Sequence, residues 1–230
     1  MNGEAKLQLL PTPWPQDQLP PSTASLMSIA SRRGLLAAAG PDSIVIAETE
    51  AVRKAFQAPS SGDTEMRPFQ PQLTIPMPMR VSQVAFSTDE ALLVLSAENG
   101  GGLAVYDVES LIKGSTQAAF EMPTNSTSLR ALLPNPTSER GELLALVTTD
   151  GKLMMANLKD RTFVSGPNGQ ILKEGVTCIS WSTRGKQLVA GLENGTVCQM
   201  TPEGENKGEI PRAPGLDPSH YGTGNKTYSH

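Results

Sequence analysis

Two histidines, His220 and His230, and two cysteines, Cys178 and Cys198, are all the imidazoles and thiols this 230-residue chain holds. A catalytic or structural metal centre needs three or four ligands held close together. Both histidines lie in the polar C-terminal stretch, well away from either cysteine, so no metal set is expected. Two segments have a superficial look of phosphate loops. Gly222-Thr223-Gly224-Asn225-Lys226-Thr227 fails because Asn225 separates Gly224 from Lys226 and no strand precedes it. Ser180–Lys186 (SWSTRGK) fails because a serine stands where the first glycine is required. Gly100-Gly101-Gly102 is a hairpin turn with no helix directly after it, so it is not a dinucleotide fingerprint. No serine sits in a GxSxG elbow. Aspartates and glutamates are scattered through turns, where capping roles prevail. Tyr106 is the only tyrosine in a repeat, and it is expected to pack at a strand end. The chain is therefore read as no enzyme: no catalytic, cofactor-binding or metal residue is assigned, and no cofactor is expected.

The elements that would position any site come from an imperfect repeat seen four times. Its clearest copy is Val81–Asp107, VSQVAFSTDEALLVLSAENGGGLAVYD, with related stretches beginning near Ser25, Ser128 and Val176. The middles of the first strands, Met27, Val84, Ala131 and Ile179, are 57, 47 and 48 residues apart. Propeller blades run about 40–50 residues with four strands each. Period-two alternation in Val81–Phe86 and the apolar run Leu92–Leu95 predict strands, the second buried on both faces. Thr149-Asp150-Gly151 and Asn194-Gly195 mark hairpins. Strands are also expected at Ala118–Met122, Leu143–Val147, Leu153–Leu158 and Thr162–Val164, and helix-like stretches only at Glu48–Gln57 and Asp107–Lys113.

The reading is thus all-β, a WD-repeat-like propeller. Its segments are an N-terminal stretch, residues 1–24, and a partial propeller over 25–212. Blades are expected at about 25–77, 81–123, 128–164 and 176–212, with an irregular tail at 213–230. Residues 48–71 form an insertion whose polar, turn-rich Ala58–Asp63 predicts a mobile surface loop. Core positions are expected at Val84, Phe86, Leu93 and Leu95; at Leu132, Leu144, Leu146 and Met154; and at Ile179, Trp181, Leu188 and Val197. Asp89, Asp150 and Asn194 are expected in turns.

Composition narrows the partners. Net charge is −4 and the aromatic share 4%, which disfavours direct nucleic-acid binding. No apolar run approaches the roughly 20 residues that span a bilayer, so no membrane insertion is expected. The N-terminus lacks a basic flank and apolar core, so no signal peptide is read. The sequons at Asn125, Asn194 and Asn225 are then read as coincidental. Cys178 and Cys198 fall on the first and third strands of the fourth unit. Two strand spacings of about 4.8 Å exceed disulfide reach, so buried free thiols are expected.

The stretches Arg67-Pro68-Phe69-Gln70-Pro71, Leu73-Thr74-Ile75-Pro76 and Val81–Leu111 resemble the N-terminal propeller of fungal CAN-type nucleoporins, at the cytoplasmic face of the nuclear pore. Thr177–Gly191 (TCISWSTRGKQLVAG) fits the corresponding later blade, and the resemblance covers about Ser25–Pro214. It implies a seven-bladed, non-enzymatic docking platform that recruits the DEAD-box helicase of mRNA export. In the family, loops on one rim meet a basic helicase surface. No contact residue is carried over, so the partner-binding residues are unknown. Other nucleoporins would be met through regions this sequence lacks, since it has no Phe-Gly dipeptide. The alternative is a propeller scaffold unrelated to the pore that binds peptides or proteins.

Seven blades need more than 300 residues at this repeat length. A partial ring of about four of seven blades, a fragment or shortened product, is therefore expected in preference to a complete small propeller. Lys6–Leu10 (KLQLL) is a candidate closing strand for the last blade. Open first and last blades leave unpaired edges, so the isolated chain is expected to self-associate; a sharp monomer peak with cooperative melting would contradict this.

Overall fold

The computed structural model describes residues 7–8, 24–57, 67–99, 102–124, 128–167 and 169–211. In chain order its strands begin with β1 (Leu7–Gln8), β2 (Met27–Ala30), β3 (Leu35–Ala39) and β4 (Ser43–Glu48). Helix α1 (Thr49–Gln57), β5 (Arg67–Pro68) and β6 (Leu73–Pro76) follow. Next come β7 (Val81–Phe86), β8 (Leu92–Ala97), β9 (Leu103–Asp107), α2 (Val108–Ile112) and β10 (Phe120–Met122). The rest are β11 (Leu129–Pro134), β12 (Leu143–Thr148), β13 (Leu153–Asn157), β14 (Thr162–Phe163), β15 (Val176–Trp181), β16 (Leu188–Leu192), β17 (Val197–Met200) and β18 (Asn206–Glu209).

Four antiparallel sheets of four strands result, in the orders β2-β3-β4-β6, β7-β8-β9-β10, β11-β12-β13-β14 and β15-β16-β17-β18. Each is a simple meander, which is what short, tight turns between apolar runs produce. First strands gather on one side: β7 lies beside both β2 and β11, and β15 approaches β12. The sheets stack face to face as an open arc of propeller blades.

Burial follows the strand period. In β8, Leu93 and Leu95 face the first sheet while Val94 faces the third. Both faces being covered, the run is apolar throughout. β12 is buried at all six positions for the same reason. Its Leu144 and Leu146 pack toward the second sheet, and Leu143, Ala145 and Val147 toward the fourth. The core positions expected in the second and third blades are all buried.

The fourth blade departs from expectation. Leu188 is buried, but Ile179, Trp181 and Val197 are only partly so. Ile179 and Trp181 pair with Ala190 and Leu188 and so face the third sheet, from the innermost strand. Val197 pairs with Gly191 on the opposite face, where no further sheet covers it among the described residues. Cys178, expected to be buried, is exposed on that same face, opposite Gly191. Cys198 is buried toward the third sheet. The two thiols stand on opposite faces with β16 between them, so both remain free.

The helix-like stretch expected at Glu48–Gln57 is a helix. Residues 49–57 form α1, with Glu50 paired to Arg53 and Lys54 within the helix. The turn-rich residues 58–66 lie outside the described residues. Of the candidate closing strand Lys6–Leu10, the described residues are β1, which pairs in parallel with β5 and not with the last sheet. In the second blade, α2 starts at Asp107, whose carboxylate accepts from the Ser110 N–H and hydroxyl, both at 2.7 Å. Those two hydrogen bonds hold the Asp107 carboxyl below its ordinary value.

Candidate functional site: a linked rim of turns

Among the described residues no catalytic centre assembles. His220, His230 and the Gly222–Thr227 stretch lie outside the described residues. Among the described residues, no group of three His, Cys, Asp or Glu could hold a metal ion. Ser180–Lys186 is the end of β15 and the turn after it, closed by Ser182 N–H donating to the Gln187 carbonyl at 2.9 Å. Tyr106 is 6% exposed. Burial, and then the nearby Glu121 charge, raise its phenol further above neutral pH, so it stays protonated and apolar in character.

What the fold does assemble is a rim. Turns between the first and second strands of each sheet lie at one end of the stack. Connections between third and fourth strands, including α1 and α2, lie at the same end. Side chains tie these turns together from sheet to sheet. The Glu90 carboxylate, in the β7–β8 turn, accepts from Arg32 N–H at 3.1 Å and Arg33 N–H at 2.9 Å, both in the β2–β3 turn. The Arg32 guanidinium donates to the Thr88 carbonyl, and the Thr88 hydroxyl donates to the Asn135 carbonyl in the next sheet. Asn135, fully buried, donates from Nδ2 to the Gly185 carbonyl in the fourth sheet at 2.8 Å. Its Oδ1 accepts from the Thr137 N–H and hydroxyl at 3.0 and 2.9 Å.

Ion pairs add to this lacing. Arg33 pairs with Glu109 of α2, and Arg140 with Glu203 at 2.6 Å. Burial by itself would raise the Glu203 carboxyl, but the Arg140 hydrogen bond and further hydrogen bonds leave it below its usual value. At the outer edge, the Arg161 guanidinium stacks 4.6 Å from the Phe120 ring, joining the second and third sheets. Exposed pairs of this kind are individually weak. The bonds made by Glu90, Thr88 and the buried Asn135 are what set the turns relative to one another.

Sequence reasoning missed Glu90 and Asn135, although a signal for the first was present. Three turns align as Ser31-Arg-Arg-Gly34, Ser87-Thr-Asp-Glu90 and Ser182-Thr-Arg-Gly185. Their last residues have φ of 63°, 59° and 63°. Glutamate stands where the other two turns use glycine, at a strain of about 1–2 kcal/mol. A bulky polar residue at such a position implies a compensating contact, here the two backbone N–H groups of the neighbouring sheet. The arrangement offers no chemistry for bond-making; it presents a stiffened surface of loops.

Comparison with known proteins bears on what that surface serves. A family model described as the NUP159/214 beta propeller matches residues 20–224. Nucleoporin NUP159 of Chaetomium thermophilum is 56% identical over 218 residues, covering 95% of this chain and 14% of the relative. The crystal structure of the N-terminal domain of Nup159 superposes with a TM-score of 0.61 at 17% identity, covering 88% of this chain and 48% of that one. A solved complex of S. cerevisiae Dbp5 bound to Nup159, with Gle1, IP6 and ADP, matches with the same TM-score at 16% identity, covering 86% and 46%. At these identities the two structures speak to the fold alone. The chain thus spans about a seventh of the curated relative and about half of the solved propeller.

Proposed function

Because this chain belongs to the NUP159/214 beta-propeller family of nucleoporins, we propose that it acts as a docking platform at the cytoplasmic face of the nuclear pore. It binds the DEAD-box helicase of mRNA export there and does not catalyse a reaction itself. The observation that carries this reading is the laced rim: four consecutive turns are held in register by side-chain-to-backbone bonds from Glu90, Thr88 and Asn135. Pre-ordered loops reduce the entropy lost on docking a partner. An acidic balance, 23 carboxylates against 19 cations, favours encounter with a basic protein surface. That Dbp5 is the molecule bound to Nup159 in the related complex supports the identity of the partner.

The test is a pull-down of the purified helicase by the immobilised 230-residue chain, with the helicase held in its ATP-like or its ADP form. Retention at least tenfold above an unrelated propeller, about 1.4 kcal/mol of added affinity, and sensitive to the nucleotide, is expected. Equal retention by the unrelated propeller would remove the helicase from this reading.

A further inference from the structure

At the rim opposite the laced turns, a cleft of about 380 Å³ opens between the first and second sheets. One wall is the connection Pro76–Met79 that leaves β6; the other is formed by β8, β9 and the end of β10. The floor is apolar, made by Leu95, Ala104 and the buried Tyr106 ring. Met79, 50% exposed, stands at the mouth. Gly102 lets the lip close: a Cβ there would lie 2.1 Å from the Met122 carbonyl oxygen. Such a volume is at the small end of ligand cavities and suits one or two side chains. Methionine walls adapt to the shape of what enters.

The cleft carries one charge of a single sign. Glu121 pairs across the ladder with Ala104, so its carboxylate stands on the cleft face, and it is exposed. Among the described residues Glu121 makes no ion pair, whereas nearby Glu98 is matched by Arg80 at 3.7 Å. We propose that this cleft is a second docking site, distinct from the laced rim, for an extended peptide of a protein partner carrying a bulky apolar side chain flanked by lysine or arginine. The apolar side chain enters between Met79 and Tyr106, and the flanking cation meets Glu121. Segments of this kind bind by a buried anchor that supplies affinity and a rim charge that selects among anchors.

The test uses the full chain and the fluorescent peptide Ser-Gly-Lys-Phe-Lys-Gly-Ser, read by anisotropy, with ¹³C-methyl spectra of the methionines to locate it. Shifts at Met77 and Met79, with Met27 unmoved, are expected. Replacing the peptide's Phe by Ala should weaken binding at least tenfold, about the transfer value of a buried aromatic side chain. Glu121→Lys should weaken it about fivefold, as for a rim ion pair, and favour the Glu-Phe-Glu peptide instead. Glu121→Gln, which keeps the shape, should weaken it without that reversal. Binding indifferent to the flanking charge, shifts centred on Met27, or no binding of any of the peptides at millimolar concentration would overturn the proposal.

Discussion

Asn135→Ala is expected to cost about 3 kcal/mol of stability, because it strips partners from two backbone groups at once. The Gly185 carbonyl loses its Nδ2 donor and the Thr137 N–H loses its Oδ1 acceptor. Leaving a buried polar group unsatisfied costs about 1–3 kcal/mol each. Gly185→Ala should cost a similar amount by a different route. Its Cβ would lie 2.1 Å from Asn135 Oδ1 and 2.8 Å from Cγ, which drives the amide out of its site. The position's φ of +63° adds about 1 kcal/mol for any L-residue. In the double variant the collision is gone, since alanine at 135 has no amide to displace. Only the backbone strain is then added, so the double variant should lose about 4 kcal/mol in place of about 6. Urea denaturation of the four proteins measures this coupling of about 2 kcal/mol. Strict additivity would mean that the third and fourth sheets are not fastened through this pair.

Leu146→Ala should be as damaging, at about 3–4 kcal/mol. Leu146 is fully buried in the centre of β12, between Leu132 and Met154 in the ladder, and it packs toward the second sheet. Truncation there removes transfer energy and opens a cavity between two sheets that cannot easily collapse, because each is held by its own ladder. Val197→Ala makes the informative comparison. Val197 occupies an equally regular strand position, yet its face is not covered by another sheet among the described residues, so about 0.5 kcal/mol is expected. Thermal or urea unfolding of the two variants reads the difference directly. Comparable losses would show that the stacking of sheets, and not the ladder within each, has been misassigned.

Much of the fold was legible before any coordinates. Asp150-Gly151 and Asn194-Gly195 lie in their turns, Gly151 and Gly195 at φ of 80° and 78°, because few other pairs tolerate those torsions between two strands. The doubly buried strand Leu92–Leu95 announced itself as an unbroken apolar run. The wording of Val81–Leu111 pointed to the family. Less could be read of the rim. Glu90 is covered only by the general reading of acidic residues in turns, and Asn135, between Pro134 and Pro136, has no local pattern that singles it out. Their partners, Arg32 and Arg33 in one direction and Gly185 in the other, are 50 or more residues away in sequence, and no local pattern encodes such a pairing.

The division between the two sources follows the range of the forces involved. Strand period, turn torsions and repeat length are local properties, and the residues themselves determined them: four antiparallel units in an all-β chain. Burial of a given face depends on what stands opposite it, so only the tertiary structure decided that Cys178 and Val197 face outward, that Ile179 and Trp181 are half-covered, and that Leu7–Gln8 pairs with Arg67–Pro68. The same holds for the laced turns and the cleft beside Glu121. Each brings together side chains from separate repeats, and it is the stacking of sheets, not the content of any one repeat, that creates a surface on which a partner can dock.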